Sequence, residues 1–494
     1  MNAWFAFLNR EDRIIIKNIE VLLALTVAVP LIGAFSLPLA GRISERSRDW
    51  LAFVMVFCSF LFSLILLPNV LNWQTVKIVQ YFPLGLNISL TADPLAVFMA
   101  LISSSISAVI ILFSFDYISH YENRNEYYLM VVLFLGAMMG IIYSSNLILL
   151  FLFWEITGIV SWRLVGFFRE KTDVLFADKT FLVTVFGALL MLIGFISIYN
   201  ITGSFDYNVI HNYFNTTSVP PTIIMLVLAG ILAKSATLPF HTWLPDAGVA
   251  PSSVTALLHA AVLVKIGVYV YARLFVVTMP VAEMWHMIIP VIACASAIIS
   301  AGAAMIDTNL KRIIAYSTIS QIGFIFIGLS TNNRVAIAGG LLYILMHGIA
   351  KAGLFLCAGV VEQNTHLKDI TKMGGLIKTM PYTALAFLVC SLSIMGIPPF
   401  GGFFSKFLVF QGIVDSNNIV LLLFTLFAAF LTIIYLFRTF TLVFLGEAKI
   451  PAKEGSGLMV GSVVFFAAMS LLGGVLIKYP LWFVSQILLS IFGS

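Results

Sequence analysis

The sequence predicts an all-α polytopic membrane protein with about fourteen transmembrane helices, two of them broken. Composition is the first reason. Of 494 residues, 61% are hydrophobic and 10% charged, against about 45–50% and about 25% in soluble domains. Mean hydropathy is +1.05. The second reason is spacing: the apolar residues gather into runs close to the roughly 20 residues that one bilayer crossing takes. A soluble globular domain, a disordered chain, a nucleic-acid binder and a disulfide-stapled secreted module are all excluded.

The runs fall at 20–40, 50–71, 94–115, 127–144, 146–167, 178–200, 222–250, 252–276, 284–306, 311–330, 335–361, 380–412, 418–445 and 459–488. The first follows a tail, residues 1–19, that carries Arg10, Arg13 and Lys17. It is too long, and lacks the small-residue cleavage site, for a removable signal peptide. The polar stretches 72–93 and 201–221 read as loops. Pro239 and Pro245 break the run at 222–250, and Pro398-Pro399 with Gly401-Gly402 break the one at 380–412. In lipid such breaks persist only where protein or water satisfies the freed backbone groups, and they mark transport sites.

Loop charges divide by side. One set holds Arg42, Arg46, Arg48, Arg124, Arg169, Lys171, Lys179, Lys311, Arg312, Lys368, Lys372, Lys378, Lys449 and Lys453; the other holds Lys77, Arg273 and Arg334. The basic set is expected in the cytoplasm of a prokaryotic cell, with the chain in the plasma membrane. The tail then falls outside, against the rule. No hydrophilic domain and no GxxxxGK[ST] motif is present, so an ATP-driven pump within this chain is excluded. Cys58, Cys294, Cys357 and Cys390 lie far apart in apolar runs. They offer no ligand set for an iron–sulfur cluster, zinc or haem, and read as buried inert thiols.

After the loops are set aside, Glu155, Lys234, His259, Lys265, His347, Lys351 and Lys406 remain within the apolar runs. A charge at mid-helix costs roughly 2.5–3.5 kcal/mol, so four lysines would cost on the order of 10–14 kcal/mol, as much as a typical domain's whole stability. Lysines near span ends can snorkel to the interface, but mid-span ones cannot. Proton transfer fits these residue types. Desolvation lowers a lysine pKa and a nearby carboxylate raises it again, while histidine titrates near neutrality and has two ring nitrogens for relay. His347 and Lys351 are four apart and share a helix face. His259 and Lys265 are six apart and join one path only if their helix is broken or bulged, or if water links them. The Pro-Phe pairs at 239–240 and 399–400, each near one lysine, suggest an internal repeat.

Several long motifs resemble the antiporter-like subunits of respiratory complex I. They are Ala233-Lys-Ser-Ala-Thr-Leu-Pro-Phe-His-Thr-Trp-Leu-Pro-Asp-Ala247, Leu258-His-Ala-Ala-Val-Leu-Val-Lys-Ile-Gly-Val-Tyr269, the segment from Asp307 to Gln321, His347-Gly-Ile-Ala-Lys-Ala-Gly-Leu-Phe-Leu356, Gly396-Ile-Pro-Pro-Phe-Gly-Gly-Phe-Phe-Ser-Lys406 and Trp154-Glu155. The resemblance extends from about Asp93 to about Arg438. The family also includes the large subunits of Mrp-type Na⁺/H⁺ antiporters and the antiporter-like subunits of membrane-bound hydrogenases. It implies three leading helices over 20–115, two inverted five-helix repeats over 127–276 and 284–445, and a last helix and C-terminus over 459–494. Helices 7 and 12 would be the broken ones. It implies that Glu155 pairs with Lys234, that Lys265 is the central relay helped by His259, that His347 and Lys351 carry the proton across the middle, and that Lys406 ends the second half-channel. Arg163 departs from the family's apolar pattern, and would either meet a lipid phosphate or compete for Glu155. Neither a long lateral helix nor large extra domains are expected after the last run.

Two functions follow from the resemblance. The first is a proton-translocating subunit of a redox-driven complex, such as a membrane-bound hydrogenase or a complex-I-like assembly. This chain would hold no redox centre or other cofactor, and iron–sulfur or nickel–iron centres would sit only in partner subunits. The alternative is a subunit of an Mrp-type antiporter with no redox partner. Either way the partners are other integral membrane subunits and lipid, with a peripheral redox module in the first case and no nucleic acid in either. Glu155, Ser235, Thr237 and Ser405 form no closed oxygen shell for sodium, which favours H⁺. A non-transporting scaffold would not need the Glu–Lys–Lys–Lys series, and a solitary solute carrier would need a pocket for an organic substrate.

Overall fold

The computed structural model describes residues 10–81 and 87–493. Most of the tail expected over 1–19 lies outside the described residues or has no described side chains; from Arg10 its backbone is already helical. The chain opens with α1 (Arg10–Gly33), α2 (Leu37–Ile43) and α3 (Glu45–Leu71). A hairpin of β1 (Val76–Tyr81) and β2 (Asn87–Ala92), antiparallel with Val76 opposite Ala92, occupies part of the stretch expected as plain loop. Next come α4 (Pro94–Tyr117), α5 (Arg124–Tyr143), α6 (Leu147–Val165) and α7 (Lys171–Thr202). The second expected loop holds the short α8 (Tyr207–Phe214).

Beyond it lie α9 (Pro221–Lys234), α10 (Trp243–Asp246), α11 (Ser252–Ala256), α12 (Leu263–Tyr271), α13 (Trp285–Ile306), α14 (Leu310–Ser330) and α15 (Arg334–Thr365). The chain ends with α16 (Pro381–Met395), α17 (Gly401–Asp415), α18 (Ile419–Phe444), α19 (Gly457–Val475) and α20 (Lys478–Phe492). Twelve helical stretches among the described residues are long and apolar enough to span a membrane. Two shorter apolar helices, α9 and α16, belong to the broken runs. This is a multi-pass, all-helical membrane fold apart from the one hairpin. The run read as one span at 459–488 is instead two helices. Gly473-Gly474 weakens the end of α19, and Pro480, which has no N–H to give, fits the first turn of a new helix.

Polar side chains start the helices where lipid offers no partner for the first N–H groups. Asp93 accepts from Ala96 N at 2.8 Å, Asn146 from Ile148 N at 2.8 Å, and Asn333 from Val335 N at 2.8 Å. Burial then sorts the helices. The most apolar windows of α14 and α15 are 94% buried, whereas those of α3 and α18 are 28% and 33% buried. The first pair forms the centre and the second faces lipid. α15 packs against α14, α16, α17 and α19, and carries the middle of the site on its length.

Both breaks are held by specific bonds. After α9, Thr237 N donates to Leu232 O at 2.9 Å and Leu238 N to Ser296 Oγ at 3.3 Å. Trp243 Nε1 donates to the Ala233 carbonyl at 3.0 Å. After α16, Gly396 takes φ +82°, a left-handed turn that favours glycine. α19 then touches the loop before α17 so closely that a Cβ on Gly474 would lie 1.8 Å from Pro399 O; only glycine fits there.

Candidate functional site

The six basic residues expected within the spans are all buried, at 2% exposure or less. Lys265 and His347 meet at the centre, with Nζ and Nδ1 2.8 Å apart. Lys351, one turn along α15 from His347, donates to Ile314 O at 3.1 Å and to Ser317 Oγ, both on α14. His259 lies in a π-turn, Leu257–Ala261, that ends at Val262 with φ −124° and ψ −80°. The helix is therefore bulged between His259 and Lys265, the condition under which the two can belong to one path. The His259 ring rests on Phe355 with centroids 4.3 Å apart.

The two outer lysines are solvated by carbonyls and rings. Lys234 Nζ donates to Trp154 O at 3.2 Å and lies 5.3 Å from the Trp154 ring. Lys406 Nζ donates to Ile394 O at 2.7 Å, 4.5 Å from the Phe324 ring and 5.7 Å from the Tyr343 ring. Each ammonium thus sits beside a break: Lys406 is on a carbonyl at the C-terminal, negative end of α16 and Lys234 on one in the middle of α6, and aromatic faces offset part of the desolvation of both. Glu155 is half-buried on the turn of α6 that Lys234 touches. Among the described residues the two form no ion pair; the ammonium takes the carbonyl of the preceding residue instead. Arg163 does not meet Glu155. Its guanidinium pairs with Glu126 of α5, which Arg169 also holds at 2.7 Å.

Three groups of residues escaped the sequence reading. Gln321 of α14 accepts from Tyr343 OH at 2.7 Å and donates to Thr432 Oγ1 at 3.1 Å, tying α14, α15 and α18 together between His347 and Lys406. Arg273, counted as a loop charge, is 7% exposed and bonds Asp93 Oδ1 at 2.8 Å and Tyr269 OH at 2.9 Å. Lys311, also counted as a loop charge, is 4% exposed and pairs with Glu362 at 2.8 Å. Both sit at span ends, where hydropathy does not separate loop from interior. A period-four series, Lys265, Tyr269 and Arg273, was the available signal for the second group. Among the described residues no group of three or more His, Cys, Asp or Glu is placed to hold a metal ion.

Fold and site together define an antiporter-like membrane subunit: a helical bundle with two broken helices and a set of buried lysines and histidines. Residues 144–432 match the family described as "NADH:quinone oxidoreductase/Mrp antiporter, TM", and residues 79–128 match "NADH-Ubiquinone oxidoreductase (complex I), chain 5 N-terminus". The chain belongs to the NADH:quinone oxidoreductase/Mrp antiporter family.

It is 31% identical to Na(+)/H(+) antiporter subunit A1 of Staphylococcus haemolyticus (strain JCSC1435), over 92% of this chain and 61% of that protein. Against the same subunit of Staphylococcus aureus (strain Newman) identity is 32%, over 78% of this chain and 50% of that one. The chain thus spans between half and about three fifths of the length of these curated relatives. It shares its fold with two solved structures. A chain of the membrane-bound sulfane sulfur reductase, an archaeal respiratory membrane complex, aligns with TM-score 0.87 at 24% identity, covering 96% of this chain and 98% of that one. A chain of the Mrp complex from Dietzia sp. DQ12-45-1b aligns with TM-score 0.86 at 21% identity and the same coverage.

Proposed function

We propose that this chain is the proton-translocating subunit of a redox-driven membrane complex, and that protons move along Glu155, Lys234, His259, Lys265, His347, Lys351 and Lys406. The Lys265–His347 contact at 2.8 Å carries the reading. His347 Nδ1 accepts when Lys265 is charged and donates when Lys265 is neutral, so one proton can pass between them without movement of either backbone. Lys351 holds the next position on α15, and Lys406 the far end. Like charges in a low-dielectric interior repel strongly. A proton arriving at one lysine therefore favours departure from another, and this couples the two ends of the row. Lys234 is the first lysine of the row, with Glu155 near enough on α6 to tune it when the carboxylate turns inward. The segments 127–276 and 284–445 are proposed as two inverted repeats, supported by one broken helix and one buried lysine beside each break. The chain would sit in a prokaryotic plasma membrane with its basic loops cytoplasmic.

This chain would supply the ion path, and partner subunits the driving reaction and its iron–sulfur or nickel–iron centres. The fold shared with a chain of an archaeal respiratory membrane complex supports this reading. A second reading, a subunit of an Mrp-type Na⁺/H⁺ antiporter, is favoured by the 31% identity to antiporter subunit A1. Purification in mild detergent with mass spectrometry of the co-migrating chains separates the two. Redox subunits would establish the first reading, and small membrane subunits alone would replace it with the second. In either complex Lys234→Ala is expected to abolish ion movement while assembly stays intact; unchanged movement would remove the proposed path.

A further inference from the structure

Helix α14 opens with two cations. Lys311 and Arg312 stand in its first turn, where the helix dipole favours acidic residues over basic ones. Their partners lie outside the helix. Lys311 donates to Ala250 O at 3.0 Å and pairs with Glu362 at 2.8 Å. Arg312 donates to Asp246 Oδ1 at 2.6 Å and to Asp307 Oδ2 at 3.0 Å. Asp246 is 14% exposed, and its other oxygen takes Lys179 of α7 at 2.7 Å. The stretch from Asp246 to Ala250 is thus gripped at both ends by the first turn of α14. Between them, a Cβ on Gly248 would touch Lys311 Cβ at 3.7 Å.

That stretch ends the first break. α10 is a single turn with Asp246 at one end and Trp243 at the other. Trp243 is fully buried, and its Nε1 donates to the carbonyl of Ala233, next to Lys234. A second contact lies one turn further along α14. Lys351 donates there to Ile314 O and Ser317 Oγ. Ile314 O also accepts from Ser317 Oγ at 2.8 Å and from Thr318 Oγ1 at 3.1 Å. Side-chain donors on one helical carbonyl compete with the N–H of the ladder and bend the helix at that point. A charged donor makes a bond roughly twice as strong as a neutral one. The pull of Lys351 on α14 therefore changes when Lys351 gains or loses a proton. From Lys351 to Lys234 the links are Ile314 and Arg312 on α14, then Asp246, Trp243 and Ala233.

We propose that α14 is a mechanical link, separate from the row of lysines and histidines, that carries the state of Lys351 to the break beside Lys234. Lys311, Arg312 and Asp246 are its positioning residues. None belongs to the row, and each acts by holding the segment 246–250 on α14. The inference rests on the translocation reading above. Lys351 favours one position of α14 only through the difference in bond strength between its two charge states. A change there shifts the first turn of α14, and Arg312 moves Asp246 and Trp243 with it. Ala233 O and the neighbouring Lys234 ammonium then shift against Trp154 O. Lys234 thus senses the proton on Lys351 without a proton passing between them.

The test uses the purified complex in detergent and reads backbone hydrogen exchange over residues 235–251 by mass spectrometry. Amides such as Thr237 N, bonded to Leu232 O at 2.9 Å, report opening of the break. Lys351→Met removes both bonds to α14 and is expected to speed exchange in this segment roughly threefold or more. In Arg312→Gln the link is already cut, so adding Lys351→Met is expected to change exchange far less. Asp246→Asn cuts the same link from the other side and serves if Arg312→Gln does not assemble. Exchange unchanged by Lys351→Met in the parent overturns the link and leaves Arg312 a static brace. An equal effect of Lys351→Met in both backgrounds overturns it too. No transport is read, so the translocation reading stands or falls separately, on Lys234→Ala.

Discussion

Replacing His347 with leucine removes the one side chain that Lys265 Nζ reaches, at 2.8 Å. Both residues are 0% exposed, and among the described residues Lys265 Nζ has no other hydrogen bond. Leucine is close to histidine in volume, so loss of packing is a minor part of the effect. A hydrogen bond to a charged group contributes about 1.5–3 kcal/mol. If it is lost while Lys265 holds the proton, the barrier rises by that amount, which at about 1.4 kcal/mol per tenfold slows turnover roughly 10- to 150-fold. The assay is proton uptake by vesicles holding the purified complex, read with a pH-sensitive dye, with native electrophoresis to verify assembly. His347→Gln keeps an acceptor oxygen and is expected to recover part of the rate. An assembled His347→Leu complex working within a factor of about two of the parent would refute this reasoning.

Two other perturbations have clear expectations. Arg163 and Glu126 are 29% and 27% exposed, and such pairs are worth about 0–1 kcal/mol. Arg163→Leu should therefore change transport by less than roughly fivefold, and a greater than tenfold loss would tie Arg163 to the proton path after all. At the opposite face, burial pushes the Asp93 carboxyl up, but the Arg273 guanidinium beside it outweighs burial and holds it below the usual carboxylate range. The stability this pair contributes is complete above the unfolded carboxyl value of about 4 and is lost as pH falls through the lower folded value. The thermal midpoint of the parent in detergent should thus drop in acid below about pH 4. That of Asp93→Asn should start lower and depend less on pH there, and parallel curves would contradict the assignment.

Most of the architecture was legible because lipid leaves few choices. A helix of crossing length satisfies its own backbone in lipid, so hydropathy placed the spans apart from the run at 459–488, and the prolines at 239 and 398–399 placed the breaks. The buried lysines were legible for the same reason: a charge in an apolar run is costly enough to need a cause. What the sequence withheld was local geometry. Leu257-Leu-His-Ala-Ala261 carries no signal for a π-turn; that register shift is set by packing against α15. The partner of Lys234 is a backbone carbonyl, which no side-chain pattern can announce. Arg163 and Glu126 lie 37 positions apart, and only the packing of α5 on α6 brings them together. The hairpin had a signal, since Asn87-Ile-Ser-Leu-Thr-Ala92 alternates polar and apolar residues, but a polar stretch between two spans reads first as loop.

On the proposed path every proton passes through Lys265. Lys265→Met keeps most of the side chain's length and volume and removes the only titrating atom. Proton translocation should be measured in vesicles with the assembled Lys265→Met complex beside the parent, driven by whatever donor or ion gradient its partner subunits use. Complete loss of translocation with assembly unchanged is the expected result. Translocation at the parent rate would contradict the claim and move the path elsewhere in the complex.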